Sequence, residues 1–122
     1  MNFTQAIASG FQNYVNFTGR AARSEYWFWT LFTIIVSIAA SLIDLVLFPD
    51  AALSPLNSLA SLAMLLPSLA VSARRFHDLD RTGWWLLLVL TGIGVIVILI
   101  WFCFKGTDGP NRFGPDPLAG MP

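Results

Sequence analysis

Arg74-Arg75-Phe76-His77-Asp78-Leu79-Asp80-Arg81-Thr82-Gly83-Trp84-Trp85 gathers three arginines, two aspartates and the single histidine of the chain into a dozen positions. Long apolar runs flank it on both sides. Charge this dense between hydrophobic runs predicts a polar loop held at a membrane surface, and the rest of the chain is placed relative to it. Of the 122 residues, 56% are hydrophobic and 11% charged, against about 25% charged in soluble domains. A soluble domain of this size has too much surface per volume to hide so much apolar area. A bilayer removes the difficulty by serving as apolar solvent.

Upstream, Trp27 to Phe48 is the first expected span, long enough for a roughly 30 Å hydrocarbon core. Thirteen of its residues are Leu, Ile, Val or Phe, which favours insertion by roughly 4 to 8 kcal/mol. Asp44 opposes this by at most about 3.5 kcal/mol, so insertion wins. Tyr26, Trp27 and Trp29 form an aromatic belt at its start. Ser24 is the expected N-cap, with Glu25 in the first turn, where a negative charge suits the helix dipole. The short stretch from Pro49 to Pro55 forces the next helix, Leu56 to Ala73, to return antiparallel. Its leucines are read as lipid-facing and its Ser/Ala surface as the contact with the first span, because small residues let helices approach in lipid. Pro67 is expected to kink it.

Downstream, Trp84 to Phe104 is the expected third span, with Thr91-Gly92-Ile93-Gly94 near its middle. The two glycines leave open a helix contact, a bend, or a break that would return the tail to its starting side. Residues 105–122 form a Gly/Pro-rich tail, expected to be neither helix nor strand. At the other end, residues 1–16 carry no charge, and Phe3, Ile7, Phe11 and Tyr14 or Val15 recur at helical spacing. They predict an amphipathic helix, either lying in the membrane interface or docked on the protein's own core. No basic start with a compact apolar run precedes it, so the first hydrophobic run is expected to remain as an anchor. The fold class is therefore all-α: an N-terminal interfacial helix and three transmembrane helices in one membrane domain.

Arg20, Arg23, Arg74, Arg75 and Arg81 lie on one side of this scheme, against Lys105 and Arg112 on the other. The excess predicts a cytoplasmic N-terminus and His77 loop, with the C-terminus outside. The five arginines are candidates to bind anionic lipid or a protein partner, or serve only to orient the chain. Glu25, Asp44, His77, Asp78 and Asp80 are the candidate ion-pair or proton-site residues. A histidine beside carboxylates has metal-donor atoms, but one histidine with no other His or Cys nearby falls short of a metal set. An interfacial network of Arg74, Arg75 and Arg81 with Asp78, Asp80 and Glu25 is the preferred reading, with Arg74 or Arg75 pairing Glu25. Zero net charge gives no field for nucleic acid, and the single cysteine cannot form an internal disulfide. No motif points to a cofactor, and no nucleophile stands beside a base.

The segments Gly19-Arg20-x-x-Arg23-x-Glu25-Tyr26-Trp27, Arg74-Arg75-x-His77-Asp78-x-x-Arg81-x-Gly83-Trp84-Trp85 and Gly106-Thr107-x-Gly109-x-Asn111-Arg112-Phe113-Gly114-Pro115-Asp116-Pro117 resemble three signatures of the YhaH-like family of small bacterial inner-membrane proteins, a domain of unknown function. The resemblance runs from about Tyr14 to Pro117. It implies a multi-pass inner-membrane protein and supplies no substrate, cofactor or catalytic residue. Three functions follow for testing. One is a non-catalytic scaffold or accessory protein that binds lipid or a membrane-protein partner. Another is a small homo-oligomeric transporter or channel using Asp44. The third is a lipid-headgroup enzyme using His77 and Asp78.

Overall fold

The computed structural model describes residues 2–118. Among these residues every regular element is helical: α1 (Phe3–Gln12), α2 (Arg23–Leu47), α3 (Pro55–Asp78), the 3-10 helix α4 (Gly83–Leu90) and α5 (Gly92–Cys103). α1 opens on a reciprocal cap, in which the Asn2 side chain accepts from the Gln5 amide and the Gln5 side chain accepts from the Asn2 amide. That exchange satisfies donors which the helix start leaves orphaned. α1 docks on α2, the second of its two expected placements. Phe3 meets Phe28 edge-on, and Phe11 meets both Trp29 and Phe32. Gly10 lies under Trp29, where a Cβ would overlap the indole ring.

α2 and α3 form an antiparallel hairpin, and each is long and apolar enough to cross a membrane. α2 starts four residues before the expected Trp27. Ala22 occupies the N-cap, so Ser24 lies inside the first turn instead of capping it. The 25 residues of α2 reach about 37 Å at 1.5 Å per residue. α3 opens with Pro55 in its first turn, where the missing N–H costs nothing. It runs through Asp78, so Arg74, Arg75 and His77 belong to a helix end and not to a loop. Positive side chains there complement the negative end of the helix dipole.

Leu59, Leu62, Leu65 and Leu66 of α3, expected to face lipid, are exposed on the protein surface. Its contact with α2 includes a Ser37–Asn57 hydrogen bond and a Trp29–Ser68 hydrogen bond. Ser58 is exposed, and Ser61 lines a small cleft between α2 and α3 with Thr33 and Ser37. Pro67 is buried inside α3, and a proline there deprives the carbonyl four residues earlier of its partner. That carbonyl belongs to Ala63, and the Tyr14 hydroxyl donates to it. The segment after α1 thus repairs the gap that Pro67 opens.

The expected third span, Trp84 to Phe104, is not one helix. Thr91 is extended and divides it into α4 and α5. The Thr91 hydroxyl accepts from the Gly94 amide at 3.0 Å and caps α5. A Cβ on Gly94 would overlap the Leu88 carbonyl, so the glycine lets the second half fold back against the first. The 12 residues of α5 cover only about 18 Å, too little for a 30 Å core. The chain therefore turns back. The tail from Lys105 to Leu118 packs beside Arg20 and Asp78, at the same end as His77. The expected placement of the tail at the opposite end is corrected by this break.

Two small cores result. Trp29, Ala21 and Val71 form one between α2 and α3. Phe76, Ile98 and Phe102 form the other, joining α3 to α5.

Candidate functional site

The ends of α2, α3 and α5 converge, and charged side chains fill the space between them. Glu25 and Arg74 meet at 2.9 Å with both side chains about 4% exposed. This is the expected pair, and it follows from the short hairpin that sets the start of α2 beside the end of α3. The Ser9 hydroxyl of α1 also donates to Glu25. Arg74 Nε and Nη2 are buried without a hydrogen-bond partner among the described residues.

Asp78 receives two guanidinium groups. Arg75 Nη1 donates to Oδ2 at 2.6 Å, and Arg20 Nε donates to Oδ1 at 3.1 Å. Both pairs are buried. Arg20 also donates to the carbonyls of Thr107 at 2.5 Å and Gly109 at 2.7 Å. The Thr107 amide in turn donates to the Asp78 carbonyl at 2.7 Å. Gly106 crosses directly over the Asp78 carboxylate, where any Cβ would overlap it. Arg20 is thus the hinge between the α3 end and the tail. The sequence scheme put Arg20 at the same end as Asp78 but did not pair them, since the two lie 58 residues apart.

The end of α5 is capped by side chains from two other helices. Arg75 donates to the carbonyls of Phe102 and Phe104, Arg23 to that of Cys103, and Trp27 Nε1 to that of Phe102. Helix ends leave such carbonyls orphaned, and cations suit the negative pole there. This cap holds α5 at the same end as Arg20.

The remaining candidates go elsewhere. Arg81 lies 4.1 Å over the Trp101 ring and 5.9 Å from that of Trp85, with no carboxylate partner among the described residues. Asp80 pairs with Arg112 of the tail at 3.2 Å, not with Arg81. His77 and Asp78 diverge. His77 Nδ1 sits 2.8 Å from the Gly19 carbonyl, and its ring stacks on Phe113 with centroids 4.1 Å apart. The neighbouring carboxylate is occupied by arginines, so no acid–base pair forms between the two. Asp44 is buried at the far end of the hairpin. Its two oxygens accept from the Leu56 and Asn57 amides, each at 2.9 Å. It caps α3 from another helix, a service that Ser54 at the N-cap does not perform. Among the described residues no three His, Cys, Asp or Glu side chains gather to hold a metal.

A family model described as "Protein of unknown function (DUF805)" matches residues 14–115. Inner membrane protein YhaI of Escherichia coli K12 is 47% identical over 117 residues, 95% of this chain and 98% of the relative. Inner membrane protein YhaH of the same strain is 44% identical over 109 residues, 87% of this chain and 90% of the relative. No solved structure gives a significant match.

Proposed function

The chain belongs to the DUF805 family and is a helical protein of the bacterial inner membrane, and from that premise we propose that it is a non-catalytic accessory protein whose arginine-rich end binds anionic lipid at the cytoplasmic surface through Arg23 and Arg81. One observation carries the reading. Arg20, Arg74 and Arg75 are consumed in buried ion pairs, while Arg23 and Arg81 have no carboxylate among the described residues. The Arg81 guanidinium carbon stands 4.1 Å from the Trp101 ring centroid, a cation–π contact that engages the ring face and leaves N–H groups for phosphate oxygens. Trp85 and Trp101 meet edge-on beside it, and tryptophan favours headgroup depth.

The sidedness rests on charge. All seven Lys and Arg residues of the chain, namely Arg20, Arg23, Arg74, Arg75, Arg81, Lys105 and Arg112, stand at the tail-bearing end. The 48–54 connection at the other end has none. Basic residues near spans are retained in the cytoplasm, so both ends of the chain belong there.

Each basic side chain near an anionic surface contributes about 1 kcal/mol, so the pair supplies about 2 kcal/mol, or roughly thirtyfold in affinity. The test is lipid retention. Native mass spectra of the purified protein should show phosphatidylglycerol retained over phosphatidylcholine. Changing both Arg23 and Arg81 to Gln should abolish most of that preference without unfolding the protein. Equal retention of the two lipids by the unmodified protein, or an unchanged preference in the double variant, contradicts the reading.

A further inference from the structure

A cavity of about 640 Å³ lies between α3 and α4, within the size range of small-molecule sites. Leu69, Ala73, Leu86 and Val89 are among its walls, and His77 is the one lining side chain that offers a hydrogen-bond acceptor. The His77 ring is fixed from several directions. Its Nδ1 faces the Gly19 carbonyl at 2.8 Å. A carbonyl only accepts, so Nδ1 carries the proton. Phe113 lies parallel to the ring within 3°, and the Asn111 amide group donates to the His77 carbonyl at 2.9 Å.

In the neutral ring this leaves Nε2 as a bare acceptor. It has no hydrogen-bond partner among the described residues. Gly83, a wall residue, sits directly before it. A Cβ there would stand 3.8 Å from Nε2 and 3.2 Å from the Ala73 Cβ. The missing side chain keeps the approach to Nε2 open. A single oriented acceptor at the end of an apolar cavity is complementary to a molecule with one donor on an apolar body. Trp84, Leu87 and Leu90 on the rim are exposed, so the cavity opens between apolar side chains.

We infer that this cavity binds a neutral membrane amphiphile with a hydroxyl head, the hydroxyl donating to His77 Nε2 and the chain lying against α4. The site is separate from Arg23 and Arg81 and takes an uncharged ligand, so it stands apart from the anionic-lipid reading. An ordinary acyl chain would fill the same walls without using Nε2, and the experiment separates the two.

His77 is the only histidine of the chain, so its ring nitrogens give an unambiguous NMR signal once any purification tag is removed. Full-length protein labelled with ¹⁵N-histidine, in phosphatidylcholine nanodiscs, is titrated with 1-dodecanol and with methyl dodecyl ether. The alcohol should move the Nε2 resonance upfield with saturation, and the ether should leave it in place. Val89→Trp, which fills the cavity from its wall, should remove the response to the alcohol. Equal responses to alcohol and ether overturn the inference. So does an unmoved resonance at bilayer saturation, or an unaltered alcohol response in a folded Val89→Trp protein.

Discussion

Asp78→Asn is the substitution that most directly strains the converging helix ends. The wild-type carboxylate faces two guanidinium groups, and all three side chains are 3% exposed or less. Asparagine keeps the shape and one acceptor oxygen but removes the charge. Two buried arginines then share no counter-ion. Breaking a single buried pair costs about 3–5 kcal/mol, because an uncompensated charge is left behind. The two pairs share one acid, so their losses do not simply add, and about 3–5 kcal/mol is the expected total. That corresponds to a shift of roughly two to nearly four orders of magnitude in the folding equilibrium. Part of it should appear locally, since Arg20 also anchors the tail through Thr107 and Gly109. Two readouts apply to the purified protein in detergent: the thermal midpoint, and limited trypsin cleavage at Lys105 and Arg112. The variant should melt markedly lower and be cut faster at both sites. A variant within about 0.5 kcal/mol of wild type, the range of ordinary surface changes, with an equally protected tail would refute the reasoning.

Other positions give independent checks. Tyr14→Phe removes the donor to the Ala63 carbonyl and should cost about 1–3 kcal/mol. In a Pro67→Ala background the cost should largely vanish, because residue 67 regains an N–H for that carbonyl; a thermal double-mutant cycle measures it. Asp44→Ala should lower stability by about 0.5–2 kcal/mol, the usual worth of a helix cap. Asp44→Asn should lose less and still insert fully, as membrane fractionation with thermal melts would show. The Leu118 and Gly109 amides hold the Asp116 carboxyl below its ordinary value. A depressed carboxylate contributes stability above the unfolded value of 3.8 and loses it as pH falls through the folded one. Exchange protection of the Gly109 and Leu118 amides should therefore persist at neutral and mildly acidic pH and fail only in stronger acid.

The two long spans were legible because their apolar content far exceeds the cost of one aspartate, and their short connection dictated a hairpin. The Glu25–Arg74 pair followed from that hairpin. The end of α3 was misread because charge suggested a loop, whereas cations at a helix C-terminus also complement its dipole. The third run was harder. Its apolarity argued for one crossing, and only Thr91-Gly92-Ile93-Gly94 signalled a break. The decisive facts are non-local: Arg75, Arg23 and Trp27 cap α5 from other helices. The same holds for Arg20, whose partners in the tail lie 87 and 89 residues away. Local patterns announce a buried arginine's need for partners but not their identity. Asp44 was read as a candidate proton-site or ion-path residue, and its contact with the first turn of α3 became visible only once the hairpin closed.

The central claim is that the third apolar run turns back at Thr91, so that the tail shares a side with Arg20 and His77. Reporter fusions after Pro122, with a sandwich fusion in the 48–54 connection, test it most directly. Alkaline phosphatase is active only outside the cytoplasm, and green fluorescent protein exported unfolded stays dark. The account predicts a fluorescent, phosphatase-inactive C-terminal fusion and an active phosphatase in the 48–54 connection. An active phosphatase after Pro122, beside an active one in the connection or in its place, would contradict the turn-back and restore a third complete crossing.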